Sequence, residues 1–135
     1  GKVDDENVAK FQQWLNKNYG QGLAVDGIYG KNTKRSALKA YQTYLNKTYG
    51  AKLEVDGIWG PKTSAACRYV ERGSRGVPVY IVQGVLYGIG YDPKGFDGIC
   101  GSGCVAAIRA FQAKHFPTNE VDGIVGPDTW GQLFQ

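Results

Sequence analysis

Apolar residues recur along this chain at spacings of three, four and seven. Val8, Phe11 and Leu15 surround Gln12, Leu38, Tyr41 and Leu45 surround Gln42, and Val79, Val82 and Leu86 surround Gln83. Ile108 and Phe111 surround Gln112, where His115 stands in place of the expected Leu. These spacings put each set on one helical face. The pattern predicts amphipathic helices over 6–18, 31–47, 76–88 and 102–116, with shorter ones over 61–70 and 127–134 and almost no strand. Four times a helix leads into a Gly-rich phrase: "DGIYGKNT" from Asp26, "DGIWGPKT" from Asp56, "DGICGSGC" from Asp97 and "DGIVGPDT" from Asp122. Gln12, Gln42 and Gln83 precede their Asp by fourteen residues and Gln112 by ten, so the repeat is larger than the loop. Internal periodicity of this kind takes precedence over any local motif.

Turn chemistry accounts for most of the phrase. Asp bonds its own following backbone, and Gly takes positive φ without a Cβ penalty. The Ile is expected to dip back into the core. Pro61 and Pro127 suit the first helical position, which puts Gly60 and Gly126 at N-caps and Thr33, Thr63 and Thr129 in first turns. The Asp and Gly residues therefore read as architecture rather than catalysis. "ERGSRGVP", from Glu71, is the strongest break in the chain. It divides the sequence into two expected domains of three helices, residues 1–70 and 71–135, each with two copies of the loop.

At this point the residues carry a family resemblance. "GSRGVPVYIVQGVLYGIGYDPKGFDGICGSGCVAAIRAFQAKHFPTNEVDGIVGPDTWGQL" resembles the type 1 peptidoglycan-binding domain, with its Gln, Asp-Gly and Gly-x-x-Thr at matched offsets. "VAKFQQWLNKNYGQGLAVDGIYGKNTKRSALKAYQTYLNKTYGAKLEVDGIWGPKTSAA" is similar but lacks the leading Gly pair. The resemblance implies an all-α chain of two tandem three-helix bundles that hold bacterial cell-wall glycopeptide. It also implies frequent attachment to a catalytic domain that cuts the wall. Cys104 replaces the Thr of the pattern, Cys100 occupies the variable loop position, and "YGQGLA" and "YGAKLE" lengthen two loops.

Composition narrows the function. The net charge of +4 comes from scattered Lys and Arg rather than a basic stripe, so no nucleic-acid partner is expected. The chain carries neither a membrane-length apolar run nor a signal-peptide pattern, and reads as a soluble piece without a membrane partner. The absence of Met, including at position 1, marks a processed product or an excised segment. With His115 as the only His, a zinc amidase or peptidase centre is excluded, and the carboxylates at loop and helix ends do not form a muramidase pair. Cys67 is expected as a buried small hydrophobe. Cys100 and Cys104 lie close enough to invite a bridge, but a four-residue separation across a loop-to-helix junction gives poor disulfide geometry, so free thiols are expected. No catalytic residue, metal site or cofactor is assigned, and His115 is expected as a packing residue at a helix end.

Binding to wall glycopeptide needs platforms for sugar faces and polar groups for hydroxyls and amides. Tyr29 and Trp59 in the loops, Tyr19 and Tyr49 in "NYG" and "TYG", and Tyr91 and Trp130 in the second half are the candidate ligand-binding residues. Each is equally suited to capping a small core. The expected function is a non-catalytic, monomeric, extracellular or wall-associated module. It would bind the peptidoglycan glycan or stem peptide and target a covalently attached hydrolase. The alternatives are a structural spacer and an inhibitory segment like the matrix metalloproteinase prodomain, although "GICGSGC" lacks the Arg and Pro flanks of that family's Cys switch.

Overall fold

Glycine stands at most of the helix boundaries. In the computed structural model, which describes residues 5–135, the helices are α1 (Glu6–Tyr19), α2 (Lys31–Tyr49), α3 (Pro61–Ala66), α4 (Val77–Ile89), α5 (Ser102–His115) and α6 (Pro127–Leu133). Residues 1–4, part of the expected first domain, lie outside the described residues. The Asp5 carboxylate accepts from the Asn7 and Val8 amides and starts α1. Gly20 and Gly50 close α1 and α2 in the left-handed region, at φ 59° and 64°, and their amides donate to Asn16 and Asn46. The recurring "NYG" and "TYG" are thus helix ends. A short 3-10 turn at Thr118–Glu120 completes the shorter fourth loop. Among the described residues no strand forms, and β pairing is confined to the isolated bridges Val70–Val125 and Arg75–Ile99.

The third helix stops four residues earlier than its sequence pattern predicts. Tertiary hydrogen bonds take over from helical ones there. The Arg68 amide donates to Tyr41 Oη at 2.9 Å, the Trp130 indole donates to the Arg68 carbonyl at 2.8 Å, and Val70 and Val125 exchange amide bonds at 3.1 and 2.8 Å. Cys67, the cap residue at φ −64° and ψ 158°, is consequently half-buried rather than enclosed.

The two halves share one core. α4 is apolar almost all round, buries Pro78 through Leu86 except Tyr80, and packs against both α1 and α2. Gly84 receives the ring of Phe11 and Gly88 that of Tyr29. At the other end α3 meets α6, with Tyr41 stacked on Trp130 at 4.2 Å between centroids and Trp59 on Phe134 at 6.1 Å. Buried residues of all six helices except the short α3 form a single contiguous cluster. The helices and the fourfold register follow the sequence pattern. The shared core, in which a helix of the second half is the central element, is what the periodicity did not show.

Candidate functional site

The repeated Gln is the device that shapes each loop. The two hydrogens of Gln42 Nε2 are shared among Asp56 Oδ1 at 3.0 Å, the Ile58 carbonyl at 3.1 Å and Thr63 Oγ1 at 3.1 Å. Its Oε1 accepts from the Asp56 and Gly57 amides at 3.1 and 2.9 Å. Gln12 and Gln112 repeat all five bonds on their own loops. Gln83 keeps the four bonds to Asp97, Gly98 and Ile99, but where the others reach a Thr hydroxyl it faces Cys104. All four Gln side chains are about 1% exposed, so an amide supplies, away from water, the donors and acceptors that the tight turn leaves over. A second clamp holds the longer loops. Asn16 and Asn46 each pair their side-chain amide with both backbone groups of Leu23 and Leu53.

One loop residue departs from the sequence expectation. The Ile does not enter the core: Ile58 is 63% exposed, and Ile28 and Ile99 are exposed as well. The reason is local. The Asp carboxylate turns back onto the Ile amide at 3.0 Å while the Ile carbonyl faces the Gln, so the backbone points inward and the side chain outward. Val25 and Val55, next to the same Asp residues, are also exposed.

These outward faces form grooves. The first, about 570 Å³, is lined by Asp26, Ile28, Arg35 and Lys39 among others. The second, about 410 Å³, repeats it with Asp56 and Ile58 beside Lys52 and Lys62. A third groove, about 250 Å³, lies on the fourth loop and is lined by Asp122, Ile124 and Tyr69 among others. In each, the Asp, Ile, second Gly and Thr of the repeated phrase contribute to the lining.

The loop carboxylates carry a pH signature. The Ile28 and Ile58 amides, followed by the Gln side chains, hold Asp26 and Asp56 below the usual carboxylate range, and for Asp97 the Gln83 amide leads. A lowered folded-state pKa contributes stability that is present above the unfolded value near 4 and is lost as pH falls through the folded values below it. Melting temperature should therefore drop below about pH 4. In a variant with Asp26, Asp56 and Asp97 all changed to Asn, which retains an acceptor oxygen, the drop should be shallower. Identical slopes for the two proteins would show that these carboxylates contribute nothing to acid lability.

The aromatic candidates are dispersed rather than gathered. Trp130 is 0% exposed and offers no face to a ligand. Tyr29 is half-buried against Gly88, its hydroxyl enclosed with no hydrogen-bond partner among the described residues, and desolvation raises its pKa. Trp59 lies on Gly131 and Phe134, and Tyr91 meets Phe111 edge-on at 5.6 Å. Tyr19 is half-buried beside Trp14, while Tyr49 is exposed, with the Arg68 guanidinium 3.6 Å over its ring. Burial explains the difference, since a loop aromatic in a small protein finds a neighbouring helix before it finds solvent. Missed at the sequence level were the exposed Ile residues, the Asn clamps, and Tyr69, which the helical pattern had absorbed.

Cys100 and Cys104 are buried free thiols with sulfurs 3.1 Å apart. The Cys104 thiol beside it holds Cys100 below its ordinary range, and the same contact, with burial, pushes Cys104 up. His115, at the end of α5, packs its ring against Phe111 at 4.5 Å but is exposed rather than partly buried, with Nδ1 3.2 Å from Gln132 Nε2. Among the described residues no group of three or more His, Cys, Asp or Glu side chains is placed to hold a metal ion, and no helix is long and apolar enough to cross a membrane.

Two Bacillus subtilis proteins, each described as uncharacterized, are similar to this chain. YbfG is 36% identical over 114 residues, covering 80% of this chain and 15% of its own length. FadG is 30% identical over 134 residues, covering 96% of this chain and 23% of its own length. The chain thus spans less than a quarter of either relative. No solved structure matches. The family described as "Putative peptidoglycan binding domain", a non-catalytic binding module, matches residues 4–67 and again 75–133, each match holding two of the Gln-held loops. The chain belongs to that family, in tandem copies.

Proposed function

We propose that this chain is a non-catalytic anchor that binds peptidoglycan in the grooves on the outer faces of its Gln-held loops, and that it concentrates an attached wall hydrolase on its substrate. The observation that carries this is the recurrence of one groove at three equivalent loops, each lined by the Ile of the repeated phrase, which is exposed at Ile28 and Ile58 and half-buried at Ile124. Ile28 and Ile58, at 45% and 63% exposure, leave apolar surface in water at these rims, and covering it with a ligand contributes to affinity. Apolar rims with nearby amides and charges suit a polymer of sugars and short peptides. The two repeats, residues 1–70 and 71–135, act as one monomeric body, and several sites on a repeating polymer raise avidity by ~10²- to 10⁴-fold where the geometry lets them engage together. Wall association outside the cell follows from that partner.

Changing Ile28 and Ile58 together to Asp removes both rims without touching the core. Sedimentation with purified insoluble wall should weaken by about tenfold, as expected for the loss of ~1.4 kcal/mol of contact, while helical content and melting persist. Unchanged binding would move the site away from the grooves of the first half. No sedimentation of the unaltered chain would favour a structural spacer.

A further inference from the structure

Of the three grooves, the one on the fourth loop differs from the others in chemistry and in origin. The first two are lined by Arg or Lys as well as carboxylates and contain no aromatic ring. The third is lined by Glu120, Asp122 and Asp128 with no basic residue, by the Asn119 amide, and by Tyr69. Tyr69 belongs to the segment after α3, in the first half of the chain, while every other lining residue comes from the second half.

Tyr69 is 65% exposed, the most exposed large hydrophobic side chain among the described residues. It is also firmly held. On one side the Arg68 carbonyl accepts from Trp130 at 2.8 Å, and on the other Val70 exchanges two amide bonds with Val125. The ring lies against the backbone of Gly126, where a Cβ would come within 2.6 Å of its Cε1. An aromatic ring that is fixed in place yet left in water contributes little to the core and presents a platform whose ordering cost is already met. The shorter spacing from Gln112 to Asp122 and the 3-10 turn at Thr118–Glu120 bring Asn119 and Glu120 to the same groove.

We propose that this groove is a saccharide subsite, in which Tyr69 stacks on one face of a neutral sugar of the glycan strand and Asn119, Glu120 and Asp128 take its hydroxyl and amide groups. The inference rests on the peptidoglycan-binding function proposed above and assigns the glycan, rather than the stem peptide, to this one site. A volume of about 250 Å³ accommodates a single sugar ring. The carboxylates disfavour the acidic ends of stem peptides and anionic wall polymers, while their oxygens are good acceptors for hydroxyls.

The test measures affinity for two probes, intact purified wall and soluble glycan strands from which the stem peptides have been removed. The unaltered chain should bind both. Tyr69→Ala should weaken glycan-strand binding about tenfold, Tyr69→Trp should restore it, and Asn119→Ala, on an exposed turn, should weaken it with the core untouched. If Tyr69→Ala fails to fold, the Asn119→Ala result decides. Normal binding of glycan strands by Tyr69→Ala or Asn119→Ala would overturn the subsite. So would binding to intact wall but not to glycan strands, or displacement from the groove by free stem peptide. Failure of the unaltered chain to bind intact wall would instead sink the parent function.

Discussion

Replacing Gln42 by Leu should cost the fold about 3 to 4 kcal/mol, read as a lowered midpoint in urea with an unchanged slope. Leu has nearly the volume of Gln, so no large cavity opens and the loss is chiefly polar. The Asp56 and Gly57 amides lose their acceptor, and the Ile58 carbonyl and Thr63 hydroxyl lose their donor. A stranded buried group costs about 1–3 kcal/mol, and partial access of water to the loop keeps the sum below a simple total. Thr63→Val removes only one acceptor and should cost about 1 kcal/mol. The third loop is consistent with that ranking, since Gln83 holds its turn with four of the five bonds and a Cys where the Thr would be. A Gln42→Leu loss under about 1 kcal/mol would mean that water replaces the amide, and the loop would then not be Gln-held. Because the second groove is the outer face of this loop, wall binding should fall with stability in the same variant.

How far residues disclose structure depends on the range of the force that places them. The helices were legible because spacings of three and four report on a single element, and the caps at Gly60 and Gly126 fall at the second Gly of the phrase, just before Pro. The Gln–Asp offset was legible as a register, though its meaning as five hydrogen bonds was not. Periodicity says which face of a helix is apolar and not which partner covers it, so the pairing of α4 with α1 and α2 stayed hidden. One signal was available: "VPVYIVQGVLYGI" is apolar nearly all round, the mark of a helix enclosed by others. The outward Ile was misjudged because hydrophobicity argued for the core while a single Asp-to-amide bond decides its direction. Aromatics in the loops drew attention as platforms, yet Tyr29 and Trp59 meet the other half of the chain first, a long-range contact that no local pattern encodes. Tyr69 was invisible for the opposite reason, since its helical surroundings gave way to bonds made with residues 55 to 62 positions further on.

Gly84 is where the shared core can be tested most sharply. It sits mid-helix in α4, where Ala normally stabilises by about 1 kcal/mol. A Cβ there would lie 2.3–2.4 Å from three ring atoms of Phe11, inside any real contact distance. Phe11 has nowhere to retreat: it is 0% exposed, 6.2 Å from Trp14 and 5.7 Å from Phe96 between centroids. Overpacking of this kind costs about 3 kcal/mol or more, so it outweighs the helical gain and Gly84→Ala should destabilise by about 2 kcal/mol net. Ser at Gly30, an N-cap with φ −121° and open space where a Cβ would stand, should leave stability unchanged. Phe11→Leu should cost about 1 kcal/mol alone, yet recover part of the loss when combined with Gly84→Ala, because the smaller side chain yields the volume that the methyl requires. That positive coupling between residue 11 of the first half and residue 84 of the second is the thermodynamic form of a single core. Strict additivity of the two changes, or a stabilising Gly84→Ala, would instead describe two bundles that fold apart.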